Sequence, residues 1–126
     1  MKVKWNERRS PRENAHTELP ALIESYYKEF HEELAKDQPP EKLHRLRLAT
    51  KKLRYTLELF RDCCGEEFEN DLGRLRTIQQ VLGNINDCVA AWRLLSKKLP
   101  AGDERDRVKT YLDRRTKKLV KELAAA

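Results

Sequence analysis

Apolar residues recur along this chain at intervals of three and four, the period of an amphipathic helix, and nowhere settle into the strict alternation of a strand. Leu19, Leu22, Ile23, Tyr26, Phe30 and Leu34 predict a first helix that ends near Lys36, ahead of Asp37-Gln38-Pro39-Pro40. Ser10-Pro11-Arg12-Glu13 has the form of a capping box with proline at the first helical position, and Thr17 offers a second start before Pro20, so a start or kink is expected there. Leu43, Leu46, Leu53, Leu57 and Phe60 predict a second helix from about Glu41 to Cys63, closed by Gly65. Phe68, Leu72, Leu75, Ile78 and Leu82 form a third stripe. After Gly83-Asn84 the stripe of Ile85, Val89, Trp92 and Leu99 runs out of phase by about a quarter-turn at roughly 100° per residue, and Asp87 follows Asn84 as in an N-cap, so a break is expected. A last helix should begin near Gly102-Asp103, with Val108, Tyr111, Leu112, Leu119 and Leu123 on one face and Arg115 in its middle. The pattern predicts an all-α fold: an antiparallel helical bundle of four to five helices, the third long element broken at Gly83-Asn84. Residues 10–126 would form a single bundle behind a flexible, basic segment 1–9.

Composition agrees. With 126 residues, 39% apolar and 38% charged, and only four glycines and five prolines, the chain fits one helical domain rather than a β-rich fold. It contains no apolar run of membrane-spanning length and no hydrophobic signal core, which predicts a cytoplasmic protein. Cys63, Cys64 and Cys88 are odd in number and lack C-x-x-C spacing, so they are expected as thiols in the core rather than as a disulfide or metal set with His16, His31 or His44. A formal charge of +6 points toward an acidic partner.

The distribution of that charge changes the picture more than its sum. Lys42 to Phe60 carries seven potential cations and no carboxylate before Glu58. A helix that only packs and stays in solution usually mixes its charges at i,i+4. On a helical projection His44, Arg47, Lys51 and Arg54 fall within an arc of about 80° and extend over about 15 Å of axis. Leu43, Leu46, Leu53, Leu57 and Phe60 occupy the adjoining arc, and Leu48, Tyr55 and Leu59 lie on the other side. A cationic stripe with apolar margins on both sides differs from a solvated face, which lies opposite one core stripe. It has the pattern of a groove lining.

Such a groove suits a linear, repetitive anion. Arginine offers a planar fork to phosphate oxygens, lysine a mobile point charge, and histidine a hydrogen-bond donor in either charge state. The segment supplies no general base, activated nucleophile or carboxylate cluster for Mg²⁺, and the chain has no Gly-rich phosphate loop, so binding without catalysis and without a cofactor or metal is expected. Arg115 reads either as an arginine snorkelling within the bundle or as a further cation aimed at a polar groove.

Leu43 to Phe60, "LHRLRLATKKLRYTLELF", followed by "LRTIQQVLGNINDCVAAWRLL", resembles the CHAD family, the conserved-histidine α-helical domain. The similarity rests on His44 and Arg47 as H-x-x-R, Lys51 to Tyr55 as K-K-L-R-Y, Glu58, and Gln79, Leu82-Gly83 and Asp87 downstream. The resemblance implies a helical module that binds inorganic polyphosphate, with His44, Arg47, Lys51, Lys52 and Arg54 as anion contacts and Arg74 as a further one. Gln79 and Asp87 also have structural readings, as a buried hydrogen bond and a helix start. With the cytoplasmic location expected above, it also implies association with polyphosphate granules.

The chain departs from the family in length. Members usually carry two related bundles facing each other across a cavity, whereas the signature occurs here once and no E-x-E-x-K motif of a fused triphosphate-tunnel domain is present. The resemblance therefore implies a half-length, single-bundle member that either forms a homodimer or binds its anion on an open face. Two other readings of the stripe stand beside it: a nucleic-acid partner, contacted along the phosphate backbone of RNA, and an acidic protein docked on a scaffold.

Overall fold

A computed structural model describes residues 4–126, with nothing described of the Cys64 side chain. Helix α1 spans Pro11–Ala35. The Ser10 hydroxyl accepts from the Glu13 amide at 3.2 Å, so the cap expected there is present. Thr17 starts nothing: its hydroxyl donates to the Glu13 carbonyl at 3.0 Å, and α1 runs on through Pro20. Residues 1–3 of the N-terminal segment lie outside the described residues. The rest of that segment is tied to α1 by Asn14, a buried polar side chain whose amide donates to the carbonyls of Asn6, Arg9 and Ser10 and accepts from the Asn6 amide. Every polar atom of that side chain is thereby satisfied, which makes its burial tolerable.

The second apolar stripe is divided among three pieces. Pro40–Leu43 forms a 3₁₀ turn, helix α2 spans His44–Leu59, and a short α3 covers Arg61–Cys64 after a turn at Phe60. Gly65 closes α3 with φ +62°, in the left-handed region, while its amide donates to the Arg61 carbonyl at 2.8 Å. On α2, Leu46, Leu53 and Leu57 are buried, as the spacing predicts.

Helix α4 runs unbroken from Glu69 to Lys98, which corrects the break expected at Gly83-Asn84. The phase shift in its apolar pattern is genuine, but a change of neighbour accommodates it. Leu82, Ile85 and Val89 border the Pro40–Leu43 turn and the start of α2. Cys88 and Ala91 border the last helix. A straight helix of about 45 Å, at 1.5 Å per residue, can meet different partners on different faces along its length. Asn84 caps nothing, and its side chain instead accepts from Gln80 at 3.3 Å.

Helix α5 spans Asp103–Ala125 and lies antiparallel along α4. Asp103, Glu104 and Asp106 complement the positive end of its dipole. Leu119 and Leu123 are buried. Tyr111, expected on that face, is 64% exposed, because it sits about 100° around the helix from Leu112. Arg115 is likewise exposed at the margin of the face.

A single buried cluster joins these elements, from Leu19, Tyr26 and Phe30 through Leu46 and Leu57 to Leu75, Ile78 and Leu123. Within it one polar chain links α1 to α2. Thr50 donates to the Leu46 carbonyl at 2.8 Å. Having spent its only proton there, it accepts from the Tyr26 hydroxyl at 2.7 Å. Burial pushes the Tyr26 phenol from 10.0 up to about 12. Its neutral form is therefore favoured in the folded state, a contribution fully present below pH 10 and lost as pH rises toward about 12. Tyr26→Phe should cost about 1 kcal/mol at neutral pH, the net value of one hydrogen bond. Urea unfolding at pH 8 and pH 11 should show the gap between wild type and variant narrowing at the higher pH, and a constant gap would contradict the assignment.

Candidate anion-binding seam between α2 and α4

The leucines of α2 determine where its arginines go. Arg47 follows Leu46 and Arg54 follows Leu53, so each guanidinium emerges about 100° from a buried leucine, at the edge of the core where α2 meets α4. There the two arginines line an open groove of about 400 Å³ together with Arg76, Gln79, Gln80, Gly83, Asn84 and Asp87 from α4. The Nε atoms of Arg47 and Arg54 and Oε1 of Gln79 are buried without a hydrogen-bond partner. Such atoms ordinarily find one in protein or bound solvent. Three guanidiniums on the walls of one groove give it a positive potential that suits an anionic ligand.

One carboxylate serves this end of the seam. Glu58 Oε1 accepts from Arg54 Nη1 at 3.1 Å and lies 3.6 Å from Arg76 Nη2. The Arg54 guanidinium also stacks on the Tyr55 ring at 4.6 Å. Held on two sides, Arg54 is fixed in place on the groove wall. Arg47 has no carboxylate within ion-pairing distance among the described residues. Asp87, expected as a helix start, stands exposed on the α4 wall. Gln79, expected to make a buried hydrogen bond, lines the groove while its Oε1 is buried without a partner.

The seam continues toward the start of α2 as a narrow cleft of about 30 Å³, room for about one water, bordered by His44, Arg47 and Arg93. His44 and Arg47 are thus neighbours in space. Lys51 is half-buried, set about 50° further round α2 from the two arginines, and Lys52 is exposed beyond it. Neither lysine lines the groove floor.

Arg115 lies on the far side of α4, in a shallow depression with Cys88, Tyr111 and Leu112 that shares Asn84 and Asp87 with the groove. It is reached by crossing the α4 ridge. Arg74 is elsewhere altogether: its guanidinium stacks on Tyr27 at 4.2 Å and donates to the Ala126 carbonyl at 3.0 Å. It fastens α1 to the end of α5. Arg76 and Arg93 take places in the seam that sequence reasoning gave to Arg74. Arg76 sits at i+3 from Gly73 and i−3 from Gln79, and this register with Gln79 was the available signal.

The other candidate chemistry is dispersed. His16 Nδ1 lies 2.9 Å from Glu67, His31 meets Phe30 edge-on, and no cluster of three or more metal-ligating side chains occurs among the described residues. Cys88 is buried, as expected, whereas Cys63 is half-buried. No helix among the described residues is long and apolar enough to cross a membrane.

The described residues thus form a helical module with an arginine-lined seam between α2 and α4. A family model described as CHAD domain matches residues 2–96, and the chain belongs to that family. CHAD domains are generally binding rather than catalytic modules, and some members bind polyphosphate. Helix α5 lies beyond the matched span. No curated protein and no solved structure matches the chain.

The two arginines of α4 should separate cleanly in experiment. Arg76→Ala is expected to weaken binding of a polyanion by about 10- to 150-fold, in line with about 1.5–3 kcal/mol for a charge-assisted hydrogen bond, with little change in melting temperature. Arg74→Ala should lower the melting temperature and leave binding intact. Parallel calorimetric titration and thermal melts check both.

Proposed function

We propose that this protein binds inorganic polyphosphate along the α2–α4 seam, without catalysing its turnover, and does so in the cytoplasm. One observation supports the reading above the others: Arg47, Arg54 and Arg76 together line one open groove. Family membership supports the choice of ligand. The groove opens to solvent along its length, which suits a polymer that enters from the side and continues past both ends. Arg47 and Arg54 are seven residues apart, about 10 Å along the axis, so a single phosphate cannot satisfy both. A chain of linked phosphates can.

Within this reading Arg47, Arg54 and Arg76 grip the polymer, His44 and Arg93 meet it at the narrow end, and Lys51 and Lys52 raise the potential on the outer rim. Arg115 serves a chain long enough to cross the α4 ridge. Arg74 has no part in it. Glu58 keeps two guanidiniums from repelling each other before the ligand arrives.

Neutralising each phosphate releases counterions, so log affinity should fall with log salt concentration by about 0.7–0.9 per contact, by analogy with nucleic acids. Arg47→Glu/Arg54→Glu, at positions that leave the leucine core untouched, should weaken long-chain polyphosphate binding at least about a hundredfold and flatten the slope, since two charge-assisted contacts become repulsive. Wild-type affinity in a folded variant would refute the assignment. Competition among polyphosphate, single-stranded RNA and heparin at equal charge identifies the ligand: preference for RNA would transfer the seam to a nucleic acid.

A further inference from the structure

The side of α2 that faces away from the bundle carries an apolar stripe that the anion groove does not use. Leu48, Tyr55 and Leu59 are 53%, 55% and 76% exposed, three of the six large hydrophobic side chains that are exposed among the described residues. The other three are scattered over the N-terminal segment, α4 and α5. Single exposed leucines need no explanation, but a contiguous patch on a small chain does. On the helical projection Leu48, Lys52, Tyr55 and Leu59 fall within about 60° of one another over about 16 Å of axis.

The order of this stripe is its own mirror: leucine, three residues, lysine, two residues, tyrosine, three residues, leucine. When two copies of α2 lie antiparallel about a two-fold axis centred between Lys52 and Tyr55, Leu48 of each meets Leu59 of the other. Lys52 of each then meets Tyr55 of the other. Arg54 already stacks on the Tyr55 ring at 4.6 Å, and the side chain remains 55% exposed, with surface to offer a lysine ammonium by the same cation–π attraction. An isologous contact requires self-complementarity of this kind.

We propose that the outer stripe of α2 is the contact surface for a second copy of this chain, paired antiparallel in the register Leu48 to Leu59 and Lys52 to Tyr55. The two-fold axis stands perpendicular to the plane of the paired helices, so both arginine flanks emerge on the same side of the dimer. Two grooves that are separate in the monomer then form one continuous basic face. The contact itself stands without the polyphosphate reading, because its residues are distinct from those of the groove floor.

Like charge opposes the pairing, since each α2 carries Arg45, Lys51 and Lys52 on or beside the stripe. Salt screens that repulsion at separations near the Debye length of about 8 Å at 0.15 M. Self-association therefore strengthens as salt rises, the reverse of anion binding in the groove, and the two proposals fail separately.

Sedimentation equilibrium of the full chain between 50 and 500 mM NaCl should show a monomer–dimer equilibrium that shifts toward dimer with salt. Leu48→Glu/Leu59→Glu, at exposed positions, should weaken it at least about a hundredfold, as each of two Leu–Leu contacts becomes glutamate facing glutamate. Register is read by thiol pairing. A mixture of Leu48→Cys and Leu59→Cys chains, mildly oxidised and mapped by mass spectrometry, should give the 48–59 cross-link in excess over 48–48 and 59–59 links. A protein monomeric at hundreds of micromolar in high salt, a dimer unaffected by the double glutamate change, or same-position cross-links in excess would each overturn the proposal. Retention of polyphosphate affinity in the double glutamate variant is expected for short chains, and its loss there would place the stripe in the groove and overturn the separation drawn here.

Discussion

Burial of Leu46, Leu53 and Leu57 on α2 is the constraint from which the rest of the molecule follows. Each fully buried leucine contributes about 1.5–3 kcal/mol, far more than an exposed charge can return. The leucines therefore set the rotation of α2 about its axis, and every other residue on the helix takes its place in consequence. Arg47 and Arg54 land on the seam, half-buried at the boundary between core and solvent. Their cationic heads are close enough to water to stay charged and close enough to protein to lose part of their hydration. That intermediate environment strengthens attraction to an anion over its value in bulk water.

Helix α4 supplies the other wall, and its continuity matters to the site. A break at Gly83 would have separated Arg76 and Gln79 from Asn84 and Asp87, whereas one rod aligns all four along the groove. Gly83 costs about 1 kcal/mol of helix propensity relative to alanine. An added Cβ there would meet nothing within 4 Å, so the glycine answers no crowding inside the bundle. Its effect is to leave the groove wall bare where backbone, rather than a side chain, faces the opening. Glu58 completes the arrangement by offsetting repulsion between Arg54 and Arg76 while Arg47 stays unpaired.

Much of this was legible in the sequence. Helical periodicity gave the all-α bundle, the cap at Ser10 and the end of α1, because those depend on local rules. The stripe of His44, Arg47, Lys51 and Arg54 could be placed on one flank of α2 since a single helix fixes their mutual angles. What escaped depends on which elements are neighbours. The phase shift at Gly83-Asn84 looked like a break because one helix meeting two partners is indistinguishable, from one strand of text, from two helices each meeting one. Tyr111 read as core by spacing and proved exposed, since α5 rests chiefly on α4 and its buried arc is narrow. Arg74 and Arg76 are two residues apart and emerge on different sides of α4, so nothing short of the packing of α1 and α5 assigns one to Tyr27 and the other to the seam. Asn14, which holds the N-terminal segment, gave no signal because its partners are backbone groups.

Helix α5 rests chiefly on α4, along a face whose central residues Val108 and Leu112 are only half-buried. Cooperative units with few buried contacts open at lower free energy than the whole molecule. The backbone amides of α5 should then exchange with solvent deuterium on a faster clock than those of α4 around Ile78 and Leu82, which no partial opening uncovers. Cys88 lies beneath that hinge of stability, buried against Leu112 and Arg115. Each excursion of α5 would uncover that thiol further, so the rate at which it reacts should track how often the last helix lifts.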